Sequence, residues 1–365
     1  MRIGVDASHL PWSNSGTQRY VDGILRGLEQ QLHPDDEMYA YYNSSDPQRL
    51  FGPRVRERSI RMLHRALWQQ VRLPLAVTHD RCDVFLGSAT IVPAAPGPPS
   101  VSVIYDCLPF VLPSSKPFLD RHYWQFWIRR SAKRATRVVA ISESTARDCQ
   151  AILGLHADKI VVVYPGVNPS FLRPVLEADN QEKRRIFELD SVGDSPYVLQ
   201  VGAYQAHKGA DVAIEAVQRL RRRGHDLILV TCGPGPRPQA TDHLAVVHLG
   251  LVSESGLRAL YADASAVCIP SLHEGFGFTA LEAMAMGTPV VAARSGALPE
   301  TAGPCALFAE PGDPESMANA LEATLSDEVA TAARVAGGRA RAASFTWERA
   351  ARSMLQTLRT VTNLA

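Results

Sequence analysis

Short runs of consecutive apolar residues recur along the chain without the alternation typical of a half-exposed strand. Such runs are typical of parallel strands that helices cover on both faces. They lie at Arg2–Ala7, Val84–Gly87, Val101–Tyr105, Arg137–Ile141, Ile160–Tyr164, Tyr197–Gly202, Leu227–Cys232, Ala245–Leu249, Ala266–Pro270 and Pro289–Ala293. Helical segments are expected between them, at Thr17–Gln31, Arg121–Arg134, Ser144–Leu153, Ala210–Arg223, Ser255–Asp263 and Thr279–Met286. This order of elements predicts an α/β fold with parallel sheets.

The regular alternation breaks between about Asn168 and Ser195, where prolines and a run of charged residues occur. We therefore predict two doubly wound domains, residues 1–175 and 176–345. Ligands of such sheets bind at the carboxyl ends of the strands, so the cleft between the domains is the expected site. A final helix in residues 346–365 has apolar residues on one face and is predicted to pack back toward the N-terminal domain.

The composition is that of a soluble globular protein, with 46% hydrophobic and 21% charged residues in 365. A formal net charge of +1 argues against nucleic-acid binding. The six cysteines are scattered without metal-ligand spacing, which is typical of reduced thiols in a cytosolic protein. Neither a signal peptide nor an apolar run long enough to span a bilayer is evident. We therefore expect a cytoplasmic protein, or one that is peripheral at the inner face of a membrane.

The segment AVCIPSLHEGFGFTALEAMAMGTPVVAA, residues Ala266–Ala293, carries the clearest candidate chemistry. It predicts a strand, a glycine-rich loop and a helix that is apolar on nearly every face. Glu282 lies in that helix, and a buried carboxylate needs hydrogen-bond donors. Because no Lys or Arg lies within one helical turn, we expect its partner to be distant in sequence or a ligand. Glu274 precedes Gly275-Phe276-Gly277 at the helix entry, where backbone N–H groups favour anions.

At this point the sequence resembles a known family. Glu274 and Glu282, within HEGFGFTALEA, look like the paired-glutamate motif of the retaining family 4 glycosyltransferases of GT-B fold. VGAYQAHKGADVAIEAV, CGPGP and HLGLVSESGLRALY resemble, in order, that family's diphosphate-binding, second glycine and base-contacting segments. SNSGTQRYVDGIL, VIYDCLPF, VVAISESTARD and VVYPGVNPSF match its N-terminal landmarks. The resemblance implies two Rossmann-like domains that face each other across a cleft. Within the family it is nearest to bacterial enzymes that transfer mannose or deoxyhexoses.

The resemblance also implies a role for each matching residue. Lys208 would bind the donor diphosphate, Glu274 a hydroxyl of the donor sugar, and Glu282 the two ribose hydroxyls. Tyr105 and Asp106 occupy positions near the donor sugar and complete the candidate catalytic set. The remaining candidate donor-binding residues are Gly16, Gly202, His207, Gly233, Leu251, Val252, Gly275, Phe276 and Gly277.

Two positions depart from the family pattern. An Arg commonly accompanies the diphosphate-binding Lys, but here the corresponding positions are Ala203 and His207. A His often precedes the aspartate of VIYDC, but here that position is Tyr105, which cannot mimic a protonatable imidazole near neutral pH. Asp106 could equally cap the turn after its strand. These departures leave the identity of the donor, and in part the activity, open.

No Asp-x-Asp triplet occurs in the chain. Glycosyltransferases of the other main fold usually bind a divalent metal through one, so we expect neither metal nor cofactor here.

A basic and aromatic segment, Phe118–Arg137, leaves two interpretations open. It is either an ordinary amphipathic helix with Trp124 and Trp127 against the core, or a surface for anionic lipid or a lipid-linked acceptor. The Arg-rich stretch Arg54–Arg72 is similarly ambiguous.

The leading functional hypothesis is a retaining, metal-independent hexosyltransferase that uses a nucleoside-diphosphate sugar, with a weak preference for GDP-mannose. Its acceptor would be a saccharide, lipid-linked or small-molecule hydroxyl. The alternative is a non-catalytic protein of GT-B fold that binds a nucleotide or a partner. A Rossmann dehydrogenase ranks third, because SHLPWSNSG rather than a G-x-G-x-x-G turn follows the first strand. The sequence does not indicate the oligomeric state.

Overall fold

The computed structural model describes residues 1–10, 15–45, 50–115, 117–189, 195–202, 204, 206–235 and 245–364. The chain forms two compact units: Met1–Gly166 with Phe345–Ala365, and Val167–Ser344. The division therefore follows Gly166 rather than residue 175. The intervening residues belong to the second unit because the buried Phe171 ring packs edge-on against Tyr261, and Arg258 donates hydrogen bonds to the carbonyls of 173 and 174.

The first unit contains a seven-stranded sheet in the order β3-β2-β1-β4-β5-β6-β7, in which every neighbouring pair is parallel. The strands are β1 (Arg2–Asp6), β2 (Glu37–Tyr42), β3 (Val55–Ser59), β4 (Val84–Gly87), β5 (Ser100–Ile104), β6 (Arg137–Ala140) and β7 (Ile160–Val162). The sequence did not predict β2 and β3. The first is rich in tyrosine, and the second is an edge strand with charged residues, so neither has a continuous aliphatic run.

Helices of the first unit are α1 (Gly16–Gln31), α2 (Arg65–Leu67), α3 (Leu73–His79), α4 (Leu108–Val111), α5 (Phe118–Arg134), α6 (Glu143–Leu153) and α14 (Trp347–Asn363), and a π-helical segment, Trp68–Arg72, joins α2 to α3. The C-terminal helix α14 packs on α1. Close approach requires a glycine, since a Cβ at Gly23 would lie 2.2 Å from the Trp347 ring. The last helix is therefore part of the first unit, although it follows the whole of the second.

The second unit contains a six-stranded parallel sheet in the order β10-β9-β8-β11-β12-β13. Its strands are β8 (Tyr197–Val201), β9 (Ile228–Cys232), β10 (Val246–His248), β11 (Ala266–Ile269), β12 (Val290–Ala293) and β13 (Ala306–Ala309). Its helices are α7 (Glu177–Leu189), α8 (Ala210–Arg222), α9 (Glu254–Asp263), α10 (Phe278–Met286), α11 (Leu298–Ala302), α12 (Pro314–Ser326) and α13 (Glu328–Ser344). The core lies between the sheet and helices α8 and α12.

Both sheets confirm the prediction of parallel, doubly wound α/β architecture, with strands covered by helices. The charged segment that the sequence analysis treated as a break contains a helix, α7, which packs against α9. In the described parts of the chain, no helix combines the length and apolar content needed to cross a bilayer.

Candidate functional site

Lys208 and Glu274 form an ion pair at the carboxyl ends of neighbouring strands in the second unit. Lys208 ends a 3₁₀ turn after β8, and Glu274 follows β11. The Lys208 Nζ atom donates a hydrogen bond to Glu274 Oε1 at 2.7 Å. Gly209, with φ of +63°, allows this approach, because a Cβ there would lie 2.4 Å from the Pro270 carbonyl oxygen. The sequence predicted that both residues act on the donor, and the structure brings them together.

The Glu274 carboxylate is held in its ionised form by its neighbours. Burial opposes ionisation, but the positive charge of Lys208, hydrogen bonds from Lys208 and Ser271, and the charge of His207 together hold its pKa below the ordinary value. Ser271 Oγ donates to Glu274 Oε1 at 2.8 Å. The site therefore contains a fixed anion beside a fixed cation, and both side chains are partly open to solvent.

The backbone around Glu274 is held by the residues that follow β12. The Ala297 N–H donates to the Glu274 carbonyl at 2.8 Å. Gly296 has φ of +52°, and a Cβ there would lie 2.3 Å from the same carbonyl oxygen. Only glycine allows these two loops to touch in this way. Gly296 and Ser271 were not identified from the sequence, where nothing marked them as neighbours of Glu274.

Glu282 lies inside α10, and only 2% of its surface is exposed. Its Oε2 atom accepts a hydrogen bond at 3.0 Å from the hydroxyl of Tyr261, which is fully buried in α9. This confirms that a partner distant in sequence supports the carboxylate. The Tyr261 carbonyl in turn accepts from the Thr288 hydroxyl at 2.5 Å, so the pair is anchored to the connection between α10 and β12.

The glycine-rich loop Gly275-Phe276-Gly277 leads into α10. Gly277 is the residue before the helix and has φ of +102°, a conformation that favours glycine. The Phe276 side chain is buried and its carbonyl accepts from the Thr301 hydroxyl at 2.5 Å. The buried Phe276 side chain and the hydrogen bond to its carbonyl thus hold the loop in place. The N-terminus of α10, the positive end of its dipole, lies beside Glu274.

The other predicted donor-binding residues of the second unit lie at the ends of β8, β9 and β10. The Gly202 N–H donates to the Cys232 carbonyl at 2.9 Å, and the Gly233 N–H donates to the Gly250 carbonyl at 2.7 Å. Gly202 also adjoins Lys208, because a Cβ there would lie 3.7 Å from that side chain. Leu251 is exposed and Val252 is half-buried. Ala203 lies outside the described residues.

Three polar side chains at these strand ends were missed by the sequence analysis. Thr231 Oγ1 lies 2.9 Å from the Tyr204 hydroxyl and 2.9 Å from His248 Nδ1. The Tyr204 and His248 rings also meet edge to face. No local pattern marks them, since their proximity depends on the order of strands in the sheet.

The predicted site residues of the first unit have structural partners there. The Tyr105 hydroxyl donates to the Ser88 carbonyl at 2.5 Å, and burial raises the pKa of Tyr105 well above its ordinary value. Asp106 Oδ1 accepts from the Leu108 N–H at 2.9 Å and so caps the turn into α4. Gly16 is the first residue of α1 and directly follows the N-cap residue Ser15. Among the described residues, no three His, Cys, Asp or Glu side chains are grouped as metal ligands.

Comparisons with curated proteins show relatives with transferase names. A D-inositol 3-phosphate glycosyltransferase from Xylanimonas cellulosilytica is 34% identical over 232 residues, 60% of this chain and 55% of the relative. An MMP alpha-(1->4)-mannosyltransferase from Mycolicibacterium hassiacum is 33% identical over 245 residues, 64% of this chain and 56% of the relative. The aligned regions thus span little more than half the length of these relatives.

Among solved structures, Anabaena HepE in complex with UDP and glucose has a TM-score of 0.73 at 18% identity, with 99% of this chain and 100% of that chain covered. Two family models also match. Glycosyltransferase Family 4 matches residues 14–171, and Glycosyl transferases group 1 matches residues 195–327. With most of its length matched by these two models, and with two Rossmann-like domains of the GT-B type, the chain belongs to the group 1 glycosyltransferases of family 4.

Proposed function

We propose that this chain transfers a hexose from a nucleoside-diphosphate sugar to a hydroxyl acceptor, with retention of anomeric configuration and without a metal ion. The observation that carries the proposal is the Lys208–Glu274 pair at adjacent strand ends, in a chain of this family. The acceptor hydroxyl would belong to a saccharide, a lipid-linked intermediate or a small molecule. GDP-mannose is the first donor to test, since one relative is named as a mannosyltransferase.

The second unit supplies the groups that a donor requires. The Lys208 ammonium neutralises the negative charge that develops on the leaving diphosphate, and the N-terminus of α10 adds aligned N–H dipoles. Glu274 accepts a hydrogen bond from a sugar hydroxyl. Glu282, oriented by Tyr261, accepts from the ribose hydroxyls. His207 adds positive charge near Glu274 in the region where the family commonly has an Arg.

Transfer proceeds by attack on the face that the leaving group occupies. The bond from the anomeric carbon to the phosphate oxygen breaks, and the acceptor oxygen bonds to that carbon on the same face. The acceptor proton passes to an oxygen of the departing phosphate, so the protein need not supply a nucleophile. Lys208 fulfils the electrostatic role that a divalent ion fulfils in metal-dependent transferases.

The test begins with thermal unfolding in the presence of UDP, GDP, dTDP and ADP, each with and without EDTA. A ligand that binds only the folded state raises the midpoint. We expect one diphosphate to do so, unchanged by EDTA, and that base then selects the sugar donors for transfer assays. Lys208→Ala and Glu282→Ala should each abolish transfer in a folded protein, while the exposed Glu328→Gln control remains active. Full activity in both variants would overturn the proposal.

The second candidate function is a non-catalytic protein that binds a nucleotide or a partner. The observation that favours it is the Tyr105 hydroxyl, which already donates its proton to the Ser88 carbonyl and cannot donate it to a sugar as well. If this second function is correct, the chain binds a nucleotide but transfers no sugar. Transfer from any donor to any acceptor would eliminate it.

A further inference from the structure

Two helical segments of the first unit cover the same face of its sheet. Tyr41 and Phe85 belong to the same hydrophobic cluster as buried residues of the segment from α2 to α3, and Ile104 belongs to the same cluster as buried residues of α5. The strand register places these three side chains on one face of the sheet. Gly4 pairs with Phe85, and Tyr41 pairs with the residue two positions after Gly4. Phe85 also pairs with Ser100, which is four positions before Ile104, and residues two or four apart on a strand point to the same face. The outward sides of the two segments therefore form parts of one external surface.

Apolar side chains are concentrated on this surface. Leu63, Leu67, Val71 and Leu75 recur at intervals of four residues, and Leu63 is 86% exposed. Phe118, Leu119 and Phe126 are also exposed, Phe126 at 58%. Of the 14 large exposed apolar side chains in the described parts of the chain, these seven lie in two short segments. Single exposed apolar residues are common, but a cluster of this kind marks a surface that contacts another apolar phase or partner.

Positive charge accompanies the apolar side chains. Residues 61–79 contain three arginines and no acidic residue. Residues 117–134 contain five Lys or Arg residues and a single acid, Asp120, although the whole chain has a formal net charge of only +1. The surface is therefore strongly cationic on a protein that is nearly neutral.

A cleft of about 680 Å³ lies along α5. Its lining residues are Ala94, His122, Gln125, Phe126, Arg129, Arg130, Lys133 and Arg134. Arg134 donates to the carbonyls of residues 93 and 95, and the Arg129 guanidinium lies over the Phe110 ring at 4.6 Å. Arg130 and Lys133 are exposed. All four cations of the cleft are exposed; Arg129 and Arg134 also make contacts within the protein, whereas Arg130 and Lys133 extend the positive surface beside them.

Direct contacts join the two segments. The Arg65 guanidinium lies 5.6 Å from the centre of the Trp124 ring. The Ala94 N–H donates to Gln70 Oε1 at 2.8 Å, and Ala94 also lines the cleft. The apolar stripe and the cationic cleft are therefore one continuous surface. Trp124 packs against the core as one sequence interpretation required, while the exposure of Phe118 and Phe126 supports the other.

We propose that this surface docks on a bilayer that contains anionic phospholipids. The protruding Leu and Phe side chains enter the interface between headgroups and acyl chains, and the cations bind lipid phosphates, with Arg130 and Lys133 placing one in the cleft. A nucleic acid would match the charge but would leave the aliphatic stripe in water. A bilayer matches both features. The proposal concerns the first unit and does not depend on the proposed transferase activity.

The test is co-sedimentation of the full chain with vesicles of phosphatidylcholine alone, and of equal parts phosphatidylcholine and phosphatidylglycerol. We expect binding to the anionic vesicles that weakens with salt. Each basic residue near such a surface contributes about fivefold, so Arg130→Gln with Lys133→Gln should weaken binding about 25-fold. Leu75→Gln with Phe126→Gln should weaken it by about tenfold or more, because apolar burial is lost.

Matched controls lie in the second unit, where Val329→Gln removes an exposed apolar side chain and Arg222→Gln removes an exposed cation. Circular dichroism verifies that each variant is folded. The proposal fails if the chain binds neither vesicle, if it binds both equally, or if the surface and control variants behave alike. It also fails if duplex DNA is bound more tightly than the anionic vesicles and the two apolar substitutions leave vesicle binding unchanged.

Discussion

Replacement of Glu274 by glutamine should strengthen the binding of a nucleoside diphosphate while it weakens sugar transfer. In the structure, Lys208 Nζ donates a hydrogen bond to Glu274 Oε1 at 2.7 Å. A diphosphate that binds Lys208 must compete with this carboxylate and approach its negative charge. Glutamine preserves the size of the side chain and can still accept from Ser271, but it removes the charge. Lys208 is then available to the phosphates without competition.

The magnitude follows from the partial burial of the pair, whose side chains are 27% and 17% exposed. Exposed ion pairs contribute about 0.2–1 kcal/mol, while the loss of one partner of a buried pair costs about 3–5 kcal/mol. A value of about 1–2 kcal/mol lies between these limits and corresponds to about 5- to 30-fold tighter diphosphate binding. The lost hydrogen bond from the sugar hydroxyl to a charged acceptor, about 1.5–3 kcal/mol, lowers kcat/KM by about 10- to 150-fold.

The assay is calorimetric titration with the nucleoside diphosphate that the thermal screen selects, together with transfer rates for the same proteins. Glu274→Gln should bind the diphosphate more tightly than the wild type, and Lys208→Met more weakly. Glu328→Gln replaces an exposed residue elsewhere in the second unit and should change neither diphosphate binding nor the transfer rate. Weaker diphosphate binding by Glu274→Gln, or unchanged binding by Lys208→Met, would show that the ion pair does not compete with the ligand.

Three further changes test the surrounding structure. Tyr261→Phe removes a hydrogen-bond donor from the buried Glu282, so the thermal midpoint should fall and nucleoside diphosphates should bind about tenfold more weakly. The affinity for 2′-deoxy analogues should fall less, because they lack one of the ribose hydroxyls that Glu282 would bind. Gly23→Ala places a Cβ 2.2 Å from the Trp347 ring, so the midpoint should fall by several degrees. Lys208→Met leaves burial as the main influence on Glu274, so the pKa of that carboxyl should rise. The thermal midpoint of the variant should therefore fall at neutral pH, and its difference from the wild-type midpoint should shrink as the pH is lowered and Glu274 is protonated in both proteins.

The sign of the pH effect follows from the direction of the pKa shift. In the wild type, the pKa of Glu274 lies below its ordinary value of 4.5. The stability from its ionised form is therefore present above that value and is lost as pH falls through the lower folded pKa. The double variant Lys208→Met with Glu274→Gln has no carboxylate to protonate at this position, so it should be more stable than Lys208→Met at neutral pH and equally stable in acid. For the helix-packing change, Gly97→Ala is the matched control, because no atom lies within 4 Å of a Cβ at that position.

The sequence predicted those elements whose signals are local. Central parallel strands are continuous apolar runs, and the helix around Glu282 is apolar on nearly every face, so both were located within a residue or two. Strand β3 was missed because it lies at the sheet edge and its three central residues, Arg56, Glu57 and Arg58, are all charged. Helix α7 was missed because its charged face resembles a linker, although Ile186 on its other face is buried.

The sequence indicated candidate residues for the site but few of the contacts among them. Glu274, Glu282 and Lys208 were identifiable by motif and by the cost of burying a carboxylate. Tyr261 was not identified as the partner of Glu282, because the contact joins α9 to α10 across the packing of two helices. Contacts of this kind depend on how non-adjacent elements pack, and no spacing within one segment encodes them.

The ion pair also influences how tightly the product of the proposed reaction is held relative to the intact donor. While an intact donor is bound, its sugar hydroxyl can satisfy Glu274, and its diphosphate can satisfy Lys208. Once the sugar has been transferred, Glu274 retains the hydrogen bond from Ser271 but has lost that hydroxyl, and a partly buried carboxylate with one donor fewer is less favourable. The free energy of the site then falls if Glu274 accepts a hydrogen bond from Lys208, the contact seen in the structure. The carboxylate therefore discriminates against the nucleoside diphosphate product and in favour of the intact donor, by an interaction that each ligand satisfies differently.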